Sequence, residues 1–437
     1  MLTPAAAPGR GIRVRWRIFS LLLGFAIIVY FQQRSVSVAA ERIMPELSLS
    51  QMQIGWLQWA FVFTYGFLQF PGGVFGQRLG ARRAMITIML VAVCATALVP
   101  IAPFLVTGTA LFAVLLGTQF LLGAAHAPFM PICAGTMAAW LPSQRWALAQ
   151  GLHTCALQIG AALAPPVLVI LMQAFGWQRA LFWAALPPLA LIALWAWYAR
   201  NAPGEHVGVS AAELAELGPA VVQSDTSGVS LKRIRHILAD RDILLLTGSY
   251  ISMNYVFYLL ASWSFLYLIQ QRHFTALEGS WLASLPPIGA AVGAGLGGML
   301  TDALASRFGT KWGYRIAPLL SLPIAGLLLI AAVRVANPYF AVAALACAFA
   351  AVELTEGAYW GGTMQVARVD TMAATGVLNT GGNLGGIIGI PIVGYLSGHG
   401  AWNAAFYIGL FCAVLAAILW LAIDTSHALV ARNADAA

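Results

Sequence analysis

Residues 151–177 read GLHTCALQIGAALAPPVLVILMQAFGW, and residues 376–402 read GVLNTGGNLGGIIGIPIVGYLSGHGAW. The two stretches lie 225 positions apart and agree at Gly151 and Gly376, Gly160 and Gly385, Pro166 and Pro391, and Trp177 and Trp402. Working outward, Gly73 pairs with Gly298 at the same spacing, and Gly135-Thr136-Met137 pairs with Gly362-Thr363-Met364 at a spacing of 227. The recurring residues are glycines, a proline and a helix-start tryptophan, which govern backbone approach and helix ends. Chance apolar resemblance would not select them. Two homologous membrane halves around one central site is the architecture of alternating access.

The composition agrees. Sixty per cent hydrophobic residues, nine per cent charged and a mean hydropathy of +0.82 exclude a soluble globular protein. Apolar stretches of bilayer length, about 20 residues, recur near 18–40, 54–76, 84–104, 108–139, 146–172, 178–199, 243–269, 279–301, 313–333, 338–367, 371–397 and 402–425. The expected fold is an all-α integral membrane protein, twelve transmembrane helices in two pseudo-symmetric six-helix bundles. Residues 18–199 and 242–426 form the bundles, 1–17 an N-terminal segment, 200–241 a central loop and 427–437 a tail expected to be disordered. Val38-Ala39-Ala40 after the basic N-terminal stretch mimics a cleaved signal peptide. Cleavage there would leave an odd span count and break the repeat.

The net charge of +8 invites a nucleic-acid reading, but its distribution argues against one. Eighteen of the 23 Lys and Arg fall on the side of both termini and the even-numbered loops, including Arg10, Arg13, Arg15, Arg17, Arg78, Arg82, Arg83, Arg307, Lys311 and Arg315. Arg42, Arg179, Arg272 and Arg334 fall opposite, and Arg34 lies within a span. This positive-inside bias places both termini in the cytoplasm, in a bacterial inner membrane. The five cysteines, Cys94, Cys133, Cys155, Cys347 and Cys412, are scattered within spans and offer neither a disulfide framework nor metal-ligand spacing.

Three local features bear on packing. Leu231–Leu238 reads as a short basic amphipathic helix, suited to the lipid headgroups or to a partner. Gly289, Gly293 and Gly297, and Gly382 and Gly386, recur every fourth residue and mark close helix contacts. The pairs Pro165-Pro166, Pro187-Pro188 and Pro286-Pro287 predict kinks or breaks in the fifth, sixth and eighth spans.

FTYGFLQFPGGVFGQRLGARR at Phe63–Arg83, WLPSQRWALAQG at Trp140–Gly151, WYARNAPGEHVGVSAAEL at Trp197–Leu214 and GVLNTGGNLGGIIGIPIVGYL at Gly376–Leu396 resemble the anion:cation symporter branch of the major facilitator superfamily. That branch includes organic-anion, phthalate and sugar-acid permeases. The likeness runs over about 17–425. It implies carriage of a small organic anion, in many relatives together with protons, by a protein with no cofactor and no enzymatic chemistry. Of the superfamily's loop motif, Gly73, Arg78, Gly80 and Arg82 remain while Gln77 replaces the usual aspartate. The second copy keeps Gly298 and Asp302. Arg78, Gly80, Arg82 and Asp302 are read as a conformational latch at the cytoplasmic gate.

Arg34 stands about sixteen residues into the first span. A central arginine costs on the order of 2.5–3.5 kcal/mol, so an anion is expected to offset it, and its planar fork matches a carboxylate. The alternatives are snorkelling to the headgroups or a structural ion pair. In the resembled family an arginine follows Tyr-x-Asp and grips the substrate. Here Phe31-Gln32-Gln33-Arg34 keeps the arginine without the adjacent acid. The fourth span carries Gln119 and His126 where relatives carry arginine and glutamate. Candidates for proton coupling are therefore His126, Glu353 and Glu356, with His153 read as structural. Glu353 is the repeat equivalent of His126, so both are expected to face one cavity.

Polar lining is expected from Tyr65 and Gln69, from Asn254 and Tyr258 with Ser262, from Asn379 and Asn383, and from Gln158, the equivalent of Asn383. Trp360, with Trp59 and Trp263, is a candidate wall for an aromatic or sugar cargo. Interhelical hydrogen bonds or simple packing account equally for each taken singly. No phosphate loop, metal cluster or nucleophile elbow appears. The reading is secondary active transport of a sugar acid or other carboxylate by a monomer, with proton symport. Proton-independent exchange or facilitated diffusion, and from another class a transporter-like sensor or a membrane enzyme, are the alternatives.

Overall fold

A computed structural model describes residues 13–217, 230–275, 278, 281–282 and 284–429. Arg10, most of the N-terminal segment, the tail from 430 onward and part of the approach to the eighth span lie outside the described residues. Among the described residues every regular element is helical.

The first span is α1 (Val14–Glu46). Ser50 and Gln53 then form a reciprocal capping box that starts α2 (Gln51–Phe67), and α3 (Gln69–Leu79) continues the span beyond Leu68. Gly80 turns the chain into α4 (Ala81–Leu105) at φ 80°, a value that a side chain would disfavour. The fourth span is α5 (Gly108–His126) and α6 (Phe129–Trp140), interrupted at Ala127-Pro128. The fifth is α7 (Trp146–Phe175), and the sixth is α8 (Trp177–Ala184) with α9 (Pro187–Tyr198). Two short helices, α10 (Ala211–Leu217) and α11 (Leu231–Ala239), lie between the halves. The second half comprises α12 (Arg241–Arg272), α13 (Leu285–Arg334), α14 (Pro338–Glu353), α15 (Glu356–Ala367), α16 (Thr371–Gly398) and α17 (Trp402–Trp420).

Nine helical stretches among the described residues are long and apolar enough to span a bilayer. Two of them, Leu285–Arg334 and Pro338–Gly398, each hold two spans, and α2 with α3 supplies one more, which makes twelve. Within α13 the reversal falls at Gly309, φ 77°, the second copy of the Gly80 turn. A Cβ on Gly313 would collide with the Ala305 backbone, a proximity that requires the chain to double back. Phe104, Ile170, Leu327, Phe340 and Phe411 stand exposed, as a lipid-facing surface requires.

The proline pairs behave differently from one another. Pro187-Pro188 opens α9 after a break, as expected. Pro165 and Pro166 lie inside an unbroken α7, and Pro286-Pro287 occupies the first turn of α13, where missing N–H groups cost little. The glycine ladders act as packing surfaces. Side chains at Gly289, Gly293 and Gly297 would strike the carbonyls of Ala346, Ala350 and Leu354, and those at Gly382 and Gly386 the rings of Tyr250 and Tyr258.

The recurring glycines join the halves at the end carrying Arg13, Arg15 and the central helices, called here the basic end. There α3 runs antiparallel to α16, and α7 to α13. Gly73 abuts the carbonyl of Met372 and Gly376 that of Gln69. In the second pair, Gly298 abuts Ala147 and Gly151 abuts Ala294. Each contact is the 225-residue counterpart of one in the other pair.

Candidate substrate site and basic-end gate

Arg34 sits on α1 one turn after Tyr30, is exposed, and makes no ion pair among the described residues. Tyr30 lies within electrostatic reach of Arg34, Tyr65, Tyr258 and Glu353. Tyr258 in turn lies within reach of Arg34 and Tyr65. From the second half, the Tyr258 hydroxyl donates to Asn383 Oδ1 at 3.2 Å. The Tyr65 hydroxyl faces the amides of Gln69 and Asn379. The geometry thus gathers Arg34, Tyr65, Gln69, Tyr258, Asn379 and Asn383 along the seam between the halves. Tyr30, which the sequence reading passed over, joins them. Its place four residues before Arg34, on the same helical face, was the available signal.

Two buried polar atoms at this seam, Asn379 Nδ2 and Glu353 Oε2, have no hydrogen-bond partner among the described residues. Gln158 is half-buried on α7.

Glu353 and Glu356 flank the break between α14 and α15, are buried and interact with each other. The Tyr250 hydroxyl donates to Glu356 Oε1 at 3.0 Å and accepts from Trp360 Nε1 at 3.2 Å. Trp360 is 1% exposed, so it packs in the core and anchors Tyr250 instead of walling a cleft. Asn254 is likewise turned inward, its amide bonded to the Tyr250 carbonyl at 2.9 Å. His126 makes no hydrogen bond to Glu353. It is buried against α2, edge-on to Phe61 at 6.1 Å, and neither ring nitrogen has a hydrogen-bond partner. The close approach of α5 to α2, where Gly123 abuts Thr64 and the Phe61 carbonyl, explains that placement. His153 packs on Phe129. Among the described residues no group of side chains has metal-binding arrangement.

At the basic end, the motif residues divide into two sets. Gly80 and Arg82 act within the first half. Gly80 packs on Asn201, whose Oδ1 accepts from the Arg82 N–H at 2.9 Å, and the Arg82 guanidinium reaches the Ala196 carbonyl. Those two residues therefore brace a turn and do not bridge the halves. The bridging positions are Asp302 and Gln77, again 225 apart. Asp302 accepts from the Ala147 and Leu148 N–H groups at 3.2 and 2.9 Å, capping the start of α7. Gln77 Oε1 accepts from the Ala373 N–H at 3.4 Å, at the start of α16. Its Nε2 donates to Val369 O at 3.0 Å and to Asp370 Oδ1 at 2.8 Å. Gln365 adds a bond to Ser143 O at 3.0 Å, and the Arg368 guanidinium lies over the Trp146 ring at 5.3 Å.

The substitution at Gln77 now has a physical reason. A helix N-terminus favours an anion, which Asp302 supplies to α7. The start of α16 already carries Asp370, so a second carboxylate at position 77 would face a like charge. The residue corresponding to Asp370 in the first copy is Arg145, which attracts Asp302. The acid thus stands on opposite members of the two facing pairs, at Asp302 opposite Arg145 in one and at Asp370 opposite neutral Gln77 in the other.

With this geometry in view, comparisons with known proteins fix the family. Residues 22–370 match the Major Facilitator Superfamily model, and the chain belongs to that family, one of transporters and not enzymes. It is 28% identical over 400 residues to the protein named "Probable sulfoacetate transporter SauU" of Cupriavidus necator, covering 91% of each chain. It is 27% identical over 434 residues to "Probable galactarate/D-glucarate transporter GarP" of Escherichia coli K12, covering 94% of this chain and 95% of that one. Among solved structures, the E. coli fucose:proton symporter FucP superposes with a TM-score of 0.69 at 16% identity, covering 94% of this chain and all of that chain. The proton:xylose symporter XylE superposes at 0.75 and 12% identity, covering 93% and 95%. These similarities establish the fold.

Proposed function

We propose that this protein is a secondary active transporter of a small organic anion, a sugar acid or related carboxylate or sulfonate, working by alternating access. The observation that carries the reading is an exposed Arg34, without an ion pair among the described residues, set among Tyr30, Tyr65 and Tyr258 at the seam between two homologous halves. A guanidinium fork receives a carboxylate or sulfonate through two parallel hydrogen bonds. The tyrosine and asparagine groups then select for hydroxyl or further acid oxygens. The named cargoes of SauU and GarP are acids of this kind, which supports the reading.

Residues 18–199 and 242–426 are the two rocking bodies, joined by 200–241, and the basic end faces the cytoplasm because cationic loops are retained there. Of the four expected gate residues, Asp302, together with Gln77, joins the halves at the cytoplasmic gate. Gly80 and Arg82 brace the turn beside it, and Arg78 lies on the same helix end. The protein works as a monomer in a bacterial inner membrane. The carrier couples to protons through Glu353 and Glu356, whose carboxyls lie behind Tyr30 and Tyr250. His126 is the remaining proton candidate, and its burial against α2 makes it the weaker one. FucP and XylE, named as proton symporters, are neighbours in fold.

The test is uptake into proteoliposomes of purified protein with glucarate, galactarate and sulfoacetate, with and without an imposed proton gradient. Accumulation of an acid that collapses when the gradient is dissipated is the expected result. Transport of neutral sugars only would overturn the proposal.

A further inference from the structure

The helix α11 is joined to the gate by a contact that the transport reading does not use. Ser230 caps it, accepting from the Arg233 N–H at 3.3 Å, and its own Ile237 is fully buried on its inner face. Asp240 follows at once in extended conformation and caps α12, accepting from the Asp242 and Ile243 N–H groups. One residue therefore separates α11 from the start of a membrane span, and that fixes the helix at the level of the headgroups. Its inner side points Arg233 at Asp370, N to O distance 2.8 Å. Asp370 is the same carboxylate that accepts from Gln77 of the first half. Three segments of chain (first half, second half and the connection between them) converge on one buried acid. On the outer side Leu231 and Leu238 are exposed, 77% and 43%, beside exposed Lys232 and Arg235.

We infer that α11 is a membrane-seated strap that holds the basic end shut, Arg233 clasping Asp370 on one side while Lys232, Arg235, Leu231 and Leu238 rest on anionic lipid on the other. Two exposed leucines interleaved with two cations fit a surface of apolar chains beneath negative headgroups. A helix lying on such a surface keeps Arg233 positioned over Asp370. Opening the basic end separates Gln77 from Asp370, and Arg233 holds the same oxygen, Oδ1, so the strap acts directly on the group that the gate uses. Anionic lipid thereby biases the carrier toward the state closed at this end, whatever its cargo.

Hydrogen exchange on the full-length protein in nanodiscs tests this, with phosphatidylcholine alone compared with phosphatidylcholine containing phosphatidylglycerol. In the wild type, removing phosphatidylglycerol is expected to speed exchange over 231–239 and over the gate at 369–380. Arg233→Gln is expected to raise gate exchange about fivefold even with anionic lipid present. The paired exchange Arg233→Asp with Asp370→Arg, which keeps the ion pair but removes the acceptor for Gln77, is expected to restore part of the protection lost in either single variant. Lys232→Gln with Arg235→Gln should make the protein in anionic discs behave as it does in neutral ones. Gate exchange unchanged in Arg233→Gln, or wild-type exchange identical in the two lipids, would overturn the inference. Should Arg233→Gln fail to fold, the wild-type lipid comparison decides alone.

Discussion

Gln77 and Asp302 occupy corresponding positions in the two halves and meet corresponding backbone groups, Ala373 N–H and Leu148 N–H, at the starts of opposite helices. The pseudo-two-fold relation seen in the sequence is therefore also a relation between two contacts that join the halves. The contacts differ in charge, one an aspartate beside an arginine, the other a glutamine beside an aspartate.

This placement of the acids predicts the effect of restoring the usual one. Gln77→Asp sets a carboxylate against Asp370 and is expected to weaken the closed basic end by about 1–3 kcal/mol. Adding Asp370→Asn should recover most of the loss. Distances between spin labels on the basic ends of α3 and α16 would read the change, and an unchanged distance distribution in Gln77→Asp would count against it.

Gly73 and Gly298 touch facing carbonyls with no room for a side chain. Gly73→Ala and Gly298→Ala should each hinder closure by an overpacking cost of about 1–3 kcal/mol. Transport rate should fall tenfold or more while binding from the opposite side persists. Equal transport by both variants would show that the helices approach less closely than described.

Glu353→Gln and Glu356→Gln separate proton coupling from binding. Each is expected to retain exchange of labelled for unlabelled substrate yet lose at least tenfold in gradient-driven accumulation. His126→Ala should accumulate substrate nearly normally. If His126→Ala alone abolishes accumulation, the coupling role moves to the fourth span.

The contact of Glu216 with Arg15 and Arg13 near the start of α1 gives a pH prediction. Hydrogen bonds from Arg15, then Arg13, hold this exposed carboxyl below its ordinary value of 4.5. A lowered carboxyl contributes its stabilisation fully above that ordinary value and loses it as pH falls through the lowered one. Protease cleavage in the 200–241 connection should accelerate on acidification below about 4.5, and Glu216→Gln should show little such dependence. Acceleration confined to higher pH would assign the effect to another group.

Much of this architecture was legible in the sequence, and the physics explains which part. Bilayer length and the spacing of Gly73, Gly151, Gly298 and Gly376 are properties of the chain itself, so spans and close approaches can be read from it. The turn at Gly80 followed for the same reason. What lay beyond reach depends on which surfaces meet. Trp360 has the composition of a cavity wall and the position of a core residue, and only packing distinguishes these. His126 aligns with Glu353 along the repeat, yet its α5 neighbour Gly123 draws it against α2. Gln77 alone reads as the loss of a motif acid, because the carboxylate that accounts for it, Asp370, lies nearly 300 residues away in sequence.

The central claim is that Arg34 receives the anionic group of the cargo. Calorimetric titration of wild type and Arg34→Gln with the transported acid, and with its neutral amide analogue, measures this directly. The account predicts that Arg34→Gln loses about 1.5–3 kcal/mol for the acid, roughly ten- to hundredfold in affinity, and almost nothing for the amide. Undiminished affinity for every transported acid in a folded Arg34→Gln protein would contradict it.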